Sequence, residues 1–186
     1  MYFESSKQNM VMTDDEILAQ CRSEETKEKG FRNLMNAYQQ RLYYHIRRFV
    51  NTHEDADDVL QNVFIKIWKN IDAFRSESSL YTWVYRIASN ESITYINKQK
   101  RTATYTLEHT AAIYKTGSDN ENPEQVQLRL QAAINTLPDK QKQVFIMRYY
   151  DEMPYEEMSK ILETSVGALK ASYHHAVKKI EEIITA

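Results

Sequence analysis

The chain has 186 residues, 42% hydrophobic and 27% charged, with a formal net charge of −2. Three glycines and three prolines are few breakers at that length, against about 12% of residues in an average protein, which disfavours a turn-rich β architecture and predicts one or two all-α domains. The single cysteine, Cys21, excludes an internal disulfide and fits a reducing cytoplasm, and the near-neutral charge excludes a general nucleic-acid coat. No run approaches the roughly eighteen apolar residues of a membrane span, and the first residues lack a signal peptide's basic start and apolar centre. The expectation is a cytoplasmic chain without membrane insertion.

Residues 1–12 read as a loose tail. Thr13 with Glu16 forms a capping box and predicts a first helix through Ile17 and Leu18. A second helix follows from apolar residues at steps of three and four: Phe31, Leu34, Tyr38, Leu42, Ile46 and Phe49. It stops near Asn51, where Thr52 with Asp55 can cap the next. The third helix, residues 54–71, repeats Ala56, Val59 and Leu60, Val63 and Phe64, Ile67 and Trp68, then Ile71. A loop at 72–79 leads into a fourth helix over residues 80–100. The periodicity then fails. Gly117, Ser118, Asp119, Asn120 and Asn122 crowd one end of a polar stretch that reads as a flexible linker. Helical spacing resumes with Val126, Leu130, Ala133, Ile134 and Leu137, and after Pro138 with Val144, Phe145 and Met147. The predicted organisation is a tail (1–12), a helical domain (13–101), a linker (102–123) and a second helical domain (124–186).

The C-terminal stretch carries the clearest motif. A short helix at 155–162, a turn of Glu163, Thr164 and Ser165, and a longer helix read as a helix-turn-helix. The longer helix has a continuous apolar stripe of Val166, Leu169, Tyr173, Ala176, Val177, Ile180, Ile183 and Ile184, and Ser165 stands at its N-cap. Its opposite face carries Gly167, Lys170, Ala171, His174 and Lys178, small at the start and basic further along. A helix entering a DNA major groove needs small residues where its backbone approaches phosphates, and cations to neutralise them.

Two earlier helices carry features that packing does not require. On the third, the outer face shows Asp58, Gln61, Asn62, Ile65, Lys66 and Lys69, an isoleucine in a polar surround that suggests a protein partner. On the fourth, Trp83, Arg86, Asn90, Ile93, Thr94, Asn97, Lys100 and Arg101 share one side. Arg86, Lys98, Lys100 and Arg101 stand against Glu91 alone, interleaved with Tyr81, Trp83, Tyr85 and Tyr95. Flat aromatics with cations and amides is the chemistry that holds unstacked bases.

These residues resemble a known family. The run DADDVLQNVFIKIW at 55–68 is similar to the helix by which bacterial sigma factors grip RNA polymerase, and FRSESSLYTWVYRIASN at 74–90 to the family's promoter-melting segment. The C-terminal residues around YEEMSKIL (155–162) and SVGALKASYHH (165–175) resemble its promoter-reading helix-turn-helix. Both parts in this order resemble the small extracytoplasmic-function sigma factors. The resemblance implies an all-α fold of two small helical domains, a sigma region 2-like bundle and a region 4-like helix-turn-helix, joined by a flexible linker. It implies polymerase docking through Asp55, Asp58, Gln61, Asn62, Ile65 and Lys66. For the −10 element it implies Phe74, Arg75, Ser78, Ser79 and Trp83, with Arg86, Asn90, Ile93, Asn97, Lys100 and Arg101 along the helix. For the −35 element it implies Ser165, Gly167, Lys170, Ala171, His174, His175 and Lys178. The implied partners are core RNA polymerase (its clamp helices and flap), promoter DNA and an anti-sigma factor, with a monomer when free. Glu163 departs from the family's usual turn glycine.

Two other readings compete. A helix-turn-helix regulator that never binds polymerase accounts for residues 124–184 and leaves the 54–101 pattern unexplained. An enzyme is suggested only by His53, Glu54, Asp55, Asp57 and Asp58, a cluster that can bind a metal. Acidic residues at a helix start complement its dipole without one. No second ligand set, nucleophile arrangement or phosphate loop accompanies them, so the expectation is no catalysis, no metal and no cofactor.

Overall fold

The computed structural model describes residues 12–102 and 123–185, so nearly all of the expected tail and linker lie outside the described residues. The described chain is helical: α1 (Asp14–Arg22), α2 (Lys27–Arg47), α3 (His53–Asn70), a 3-10 turn (Ile71–Ala73) and α4 (Leu80–Thr102), then α5 (Pro123–Asn135), α6 (Asp139–Tyr149), α7 (Tyr155–Leu162) and α8 (Val166–Thr185).

Local chemistry sets the helix starts. The Glu16 N–H donates to Thr13 Oγ1 at 3.3 Å and the Thr13 N–H donates to Glu16 Oε2 at 2.8 Å, closing the capping box that begins α1. The Asp55 N–H donates to Thr52 Oγ1 at 3.0 Å at the start of α3. Helix α2 begins at Lys27, a turn before its first stripe residue, and ends at Arg47. Phe49 therefore lies beyond the helix, yet it is still buried in the core. Gly30 sits where α1 and α2 approach most closely: an added Cβ would lie 2.6 Å from the Cys21 backbone nitrogen.

In the first half the stripes of α2, α3 and α4 converge on a core that includes Leu34, Leu42, Ile46, Val59, Val63, Ile67, Val84 and Ala88. The expected core role of Trp68 does not hold. The ring is 37% exposed, because the stripe of α3 is wider than the surface α2 offers to cover it. In the second half, Leu169, Ala176 and Ile180 of α8 are buried with Phe145, Met147, Met158 and Ile161. The turn between α7 and α8 is made by Glu163 in the left-handed region (φ 50°, ψ 42°), the conformation that a glycine would adopt without strain. The two halves pack against each other, chiefly α7 on α4.

Candidate nucleic-acid interface

Helix α8 is fixed at its start by the Ala168 N–H, which donates to Ser165 Oγ at 3.3 Å, so Ser165 does cap the helix. Its inner side is core. All seven residues expected at a −35 element (Ser165, Gly167, Lys170, Ala171, His174, His175 and Lys178) are exposed. A Cβ built on Gly167 meets nothing within 4 Å, so packing inside the chain does not require the missing side chain. What glycine offers here is an outer backbone bare enough for close approach. Lys170 Nζ lies 5.7 Å from the centroid of the Tyr155 ring on α7, which leans it across the helix pair.

The loop from Phe74 to α4 borders a polar cleft of about 460 Å³ lined by Phe74, Arg75, Ser78, Trp83, Arg86 and, from the second half, Glu163. Trp83 forms one wall, tilted on Phe74 at 4.9 Å between centroids. Phe74 itself is only 7% exposed. Its side chain is a prop under Trp83, and its carbonyl accepts from Arg22 Nη2 at 2.7 Å, so little of this residue reaches the surface. Ser79 Oγ accepts the Thr82 N–H at 3.1 Å and thus caps α4. Along α4, Asn90, Lys100 and Arg101 are exposed, while Ile93 is half-buried against the core. Arg86 and Asn97 reach the second half: Arg86 bonds the end of α7, and Asn97 Nδ2 donates to Asp139 Oδ2 at 2.7 Å.

On α3, Asp58, Gln61, Asn62, Ile65 and Lys66 form an exposed face, with Ile65 44% exposed. Lys66 pairs with Glu91 across to α4. Asp55 is otherwise employed. Its Oδ1 accepts from the Tyr95 hydroxyl at 2.5 Å and from Gln99 Nε2 at 3.1 Å, bonds that hold its carboxyl below the usual carboxylate range despite partial burial. It ties α3 to α4 and is half-buried there, unlike the exposed residues beside it. The residues that sequence reasoning missed lie on the other side of Ile65. Phe31, Met35, Leu60 and Trp68 line an apolar groove of about 610 Å³ between α2 and α3. The Phe31 and Trp68 rings meet edge-on at 4.9 Å, and Lys27 Nζ lies 5.2 Å from the centroid of Trp68. The available signal was an apolar stripe on α3 too wide for one neighbour.

The acidic cluster at the start of α3 disperses. His53 Nδ1 is 2.5 Å from the Tyr43 hydroxyl, and Asp55 turns to α4. Among the described residues no three His, Cys, Asp or Glu side chains come together as a metal would require.

Residues 34–102 match the family model described as Sigma-70 region 2, and residues 127–180 the one described as Sigma-70, region 4. The chain is 30% identical over 184 residues to the ECF RNA polymerase sigma-E factor of Haemophilus influenzae, covering 93% of this chain and 96% of that one. The chain belongs to the ECF sigma-factor family. This sigma factor is also 31% identical over 158 residues to the ECF RNA polymerase sigma factor SigW of Bacillus subtilis, covering 78% of this chain and 83% of the relative. Its fold matches that of CnrH in complex with the cytosolic domain of CnrY, with a TM-score of 0.66 at 20% identity over 92% of this chain and 97% of the other. It also matches RpoE in complex with the anti-sigma factor NepR from Bartonella quintana, with a TM-score of 0.61 at 21% identity over 85% and 98% of the two chains. The region 2 match thus falls within α2–α4, and the region 4 match within α5–α8.

Proposed function

We propose that this sigma factor directs core RNA polymerase to promoters by dividing the work among the three surfaces described, and that it catalyses no chemistry itself. The exposed face of α3, extended by the apolar groove shared with α2, docks on the polymerase clamp helices. The cleft beside Trp83 and the outer side of α4 hold unstacked bases of the −10 element. Such binding exists only once the strands separate, so it offsets the few kcal/mol cost of unpairing. Helix α8 enters the −35 major groove, where Lys170 and Lys178 meet phosphate or base edges. The observation that carries the reading is α8: every residue expected to touch DNA is exposed on one side of a helix whose other side is core. Such a chain acts beside the chromosome, in the cytoplasm, and an anti-sigma factor is the expected negative partner, as in the complex of RpoE with NepR.

Two substitutions in the reconstituted holoenzyme test the division of labour. Lys170→Ala should weaken binding to an isolated upstream duplex and, for a phosphate contact, lower the salt dependence by about one counterion. Asn90→Ala should leave that binding unchanged and reduce permanganate reactivity of promoter thymines. Normal melting by the Asn90 variant, or parental duplex binding by the Lys170 variant, would reject the corresponding surface.

A further inference from the structure

The loop at 74–79, FRSESS, has neither glycine nor proline to set its turn. Its shape is imposed from α1. Arg22 Nη2 donates to the Phe74 carbonyl at 2.7 Å and to Ser76 Oγ at 3.0 Å, across 52 and 54 residues of chain. Ser76 stands at φ 56°, in the left-handed region that disfavours a residue with a Cβ, so the bond to its hydroxyl helps to hold a conformation the backbone would not choose alone. Just ahead of the loop, Lys27 Nζ pairs with Asp72 Oδ2 at 2.5 Å in the 3-10 turn. At its far end Ser79 is fixed as the cap of α4. An arginine in the last turn of a helix ordinarily serves that helix's own dipole. The acceptors that Arg22 reaches lie in the loop instead.

The anchors decide which side chains face the cleft. Phe74 is turned under Trp83 and Ser76 is tied to α1, which leaves Arg75, Glu77 and Ser78 on the cleft wall. Arginine only donates, an ionised glutamate only accepts, and serine does both. A base out of the stack is read on its edge by the order of donors and acceptors it meets. That order discriminates only when the groups are held to within about 0.5 Å. A loop free to rearrange can satisfy several bases and must be ordered again for each.

We propose that Arg22 is a positioning residue for base selection, holding the loop in the one arrangement that presents Arg75, Glu77 and Ser78 as a fixed pattern to an unstacked base. The inference rests on the reading of this cleft as a −10 base pocket. Arg22 does not line the cleft, so its effect is exerted through the loop. It also lies ahead of the region 2 match, which begins at residue 34. The selectivity of the pocket thus depends on a helix outside the matched segment.

The test uses holoenzyme reconstituted with Arg22→Ala and a duplex DNA library of random sequence. Heparin-resistant complexes are recovered and sequenced, and base preference is read position by position. The expected profile keeps the parent's upstream block and most of its downstream block, and loses preference at a single downstream position by about 5-fold, the scale of ordering one side chain. Arg22→Met keeps the aliphatic stem on α1 and should give the same profile, so it carries the test if truncation to alanine loosens the helix. A parental profile at every position in both variants would overturn the proposal. So would an even loss of enrichment at all positions, because a smaller folded fraction produces that. Arg75→Ala with Ser78→Ala, both outside the core, separates the underlying reading. If that pair keeps the parental profile, the cleft reads no base. If it flattens a position that both Arg22 variants leave sharp, the pocket stands and the positioning role falls.

Discussion

Ile65 and Lys142 show how one side chain's surroundings convert into a measurable quantity. Ile65 is exposed at the rim of the α2–α3 groove, where an apolar residue gains nothing from folding and would be buried by a partner. Ile65→Arg should leave the helical circular dichroism unchanged and weaken core polymerase binding by about 2 kcal/mol or more, the usual scale for a central interface residue. Titration of labelled polymerase checks this, and unchanged affinity would remove the groove from the docking surface. Lys142 is the opposite case, only 1% exposed, with Asn135 Oδ1 at 3.3 Å as its hydrogen-bond acceptor. Burial, and then repulsion by Lys100, lower its pKa to about 8, with Asp139 partly opposing. Asp55 of α3 lines the same cavity. Between pH 8 and 10.5 the unfolded chain holds a proton that the folded chain has released, so stability rises with pH through that window and the penalty is full below it. Near pH 10 the tyrosines reverse the trend, since burial raises Tyr38 and Tyr81 and only the unfolded chain ionises there. Lys142→Met should stabilise the fold at pH 7 by on the order of 1–3 kcal/mol and flatten the rise between pH 8 and 9.5. Urea unfolding at the two ends of that range measures both.

At the level of elements, the α1–α2 crossing depends on the absence of one methyl group. A Cβ on Gly30 would stand 2.7 Å from the Gln20 carbonyl carbon as well as 2.6 Å from the Cys21 nitrogen. These are backbone atoms, which cannot rotate away. Gly30→Ala improves intrinsic helix propensity by up to about 1 kcal/mol, but the overlap forces the helices apart. The expected outcome is a net loss of about 1–3 kcal/mol of stability in denaturant unfolding, with α1 and its buried Ile17, Leu18 and Cys21 released first in hydrogen exchange. A stabilised variant would show that α1 can pivot. The α7–α8 turn makes the opposite compromise. Glu163 occupies a left-handed conformation that costs a non-glycine residue about 1 kcal/mol or more, and its carboxylate gains Arg86 in return.

For the whole molecule, the seam decides whether two domains behave as one. With α7 packed on α4 and His45 bridging to Asp151, the parent should unfold in a single calorimetric transition. Asp151→Lys with Glu163→Lys should split it into two, because each half has buried apolar residues of its own, Leu34 and Val63 in the first and Phe145 and Leu169 in the second. Two transitions already present in the parent would mean that the halves are thermodynamically independent.

What the sequence determined by itself is what depends on near neighbours. The capping box at Thr13, the Thr52 and Ser165 caps, the α7–turn–α8 unit and the exposed outer face of α8 rest on interactions within three or four residues, and all were legible from spacing. The buried faces of α2 and α3 followed from period 3.6 because each packs one stripe inward. What only the tertiary structure decided lies at long separation. Trp68 and Phe31 are apolar residues at core spacing, and nothing local says that the bundle has too few neighbours to cover them. Phe74 reads as a loop residue and becomes a prop once Trp83 folds over it. Asp55 also ties two helices together, through a Tyr95 partner 40 residues along the chain. Arg86 meets its acceptor 75 residues along the chain, and His45 meets Asp151 at a separation of 106. Periodicity specifies which face of a helix turns inward, but the polar atom that an exposed arginine finally meets is fixed by how complete domains dock, and that information is spread over both.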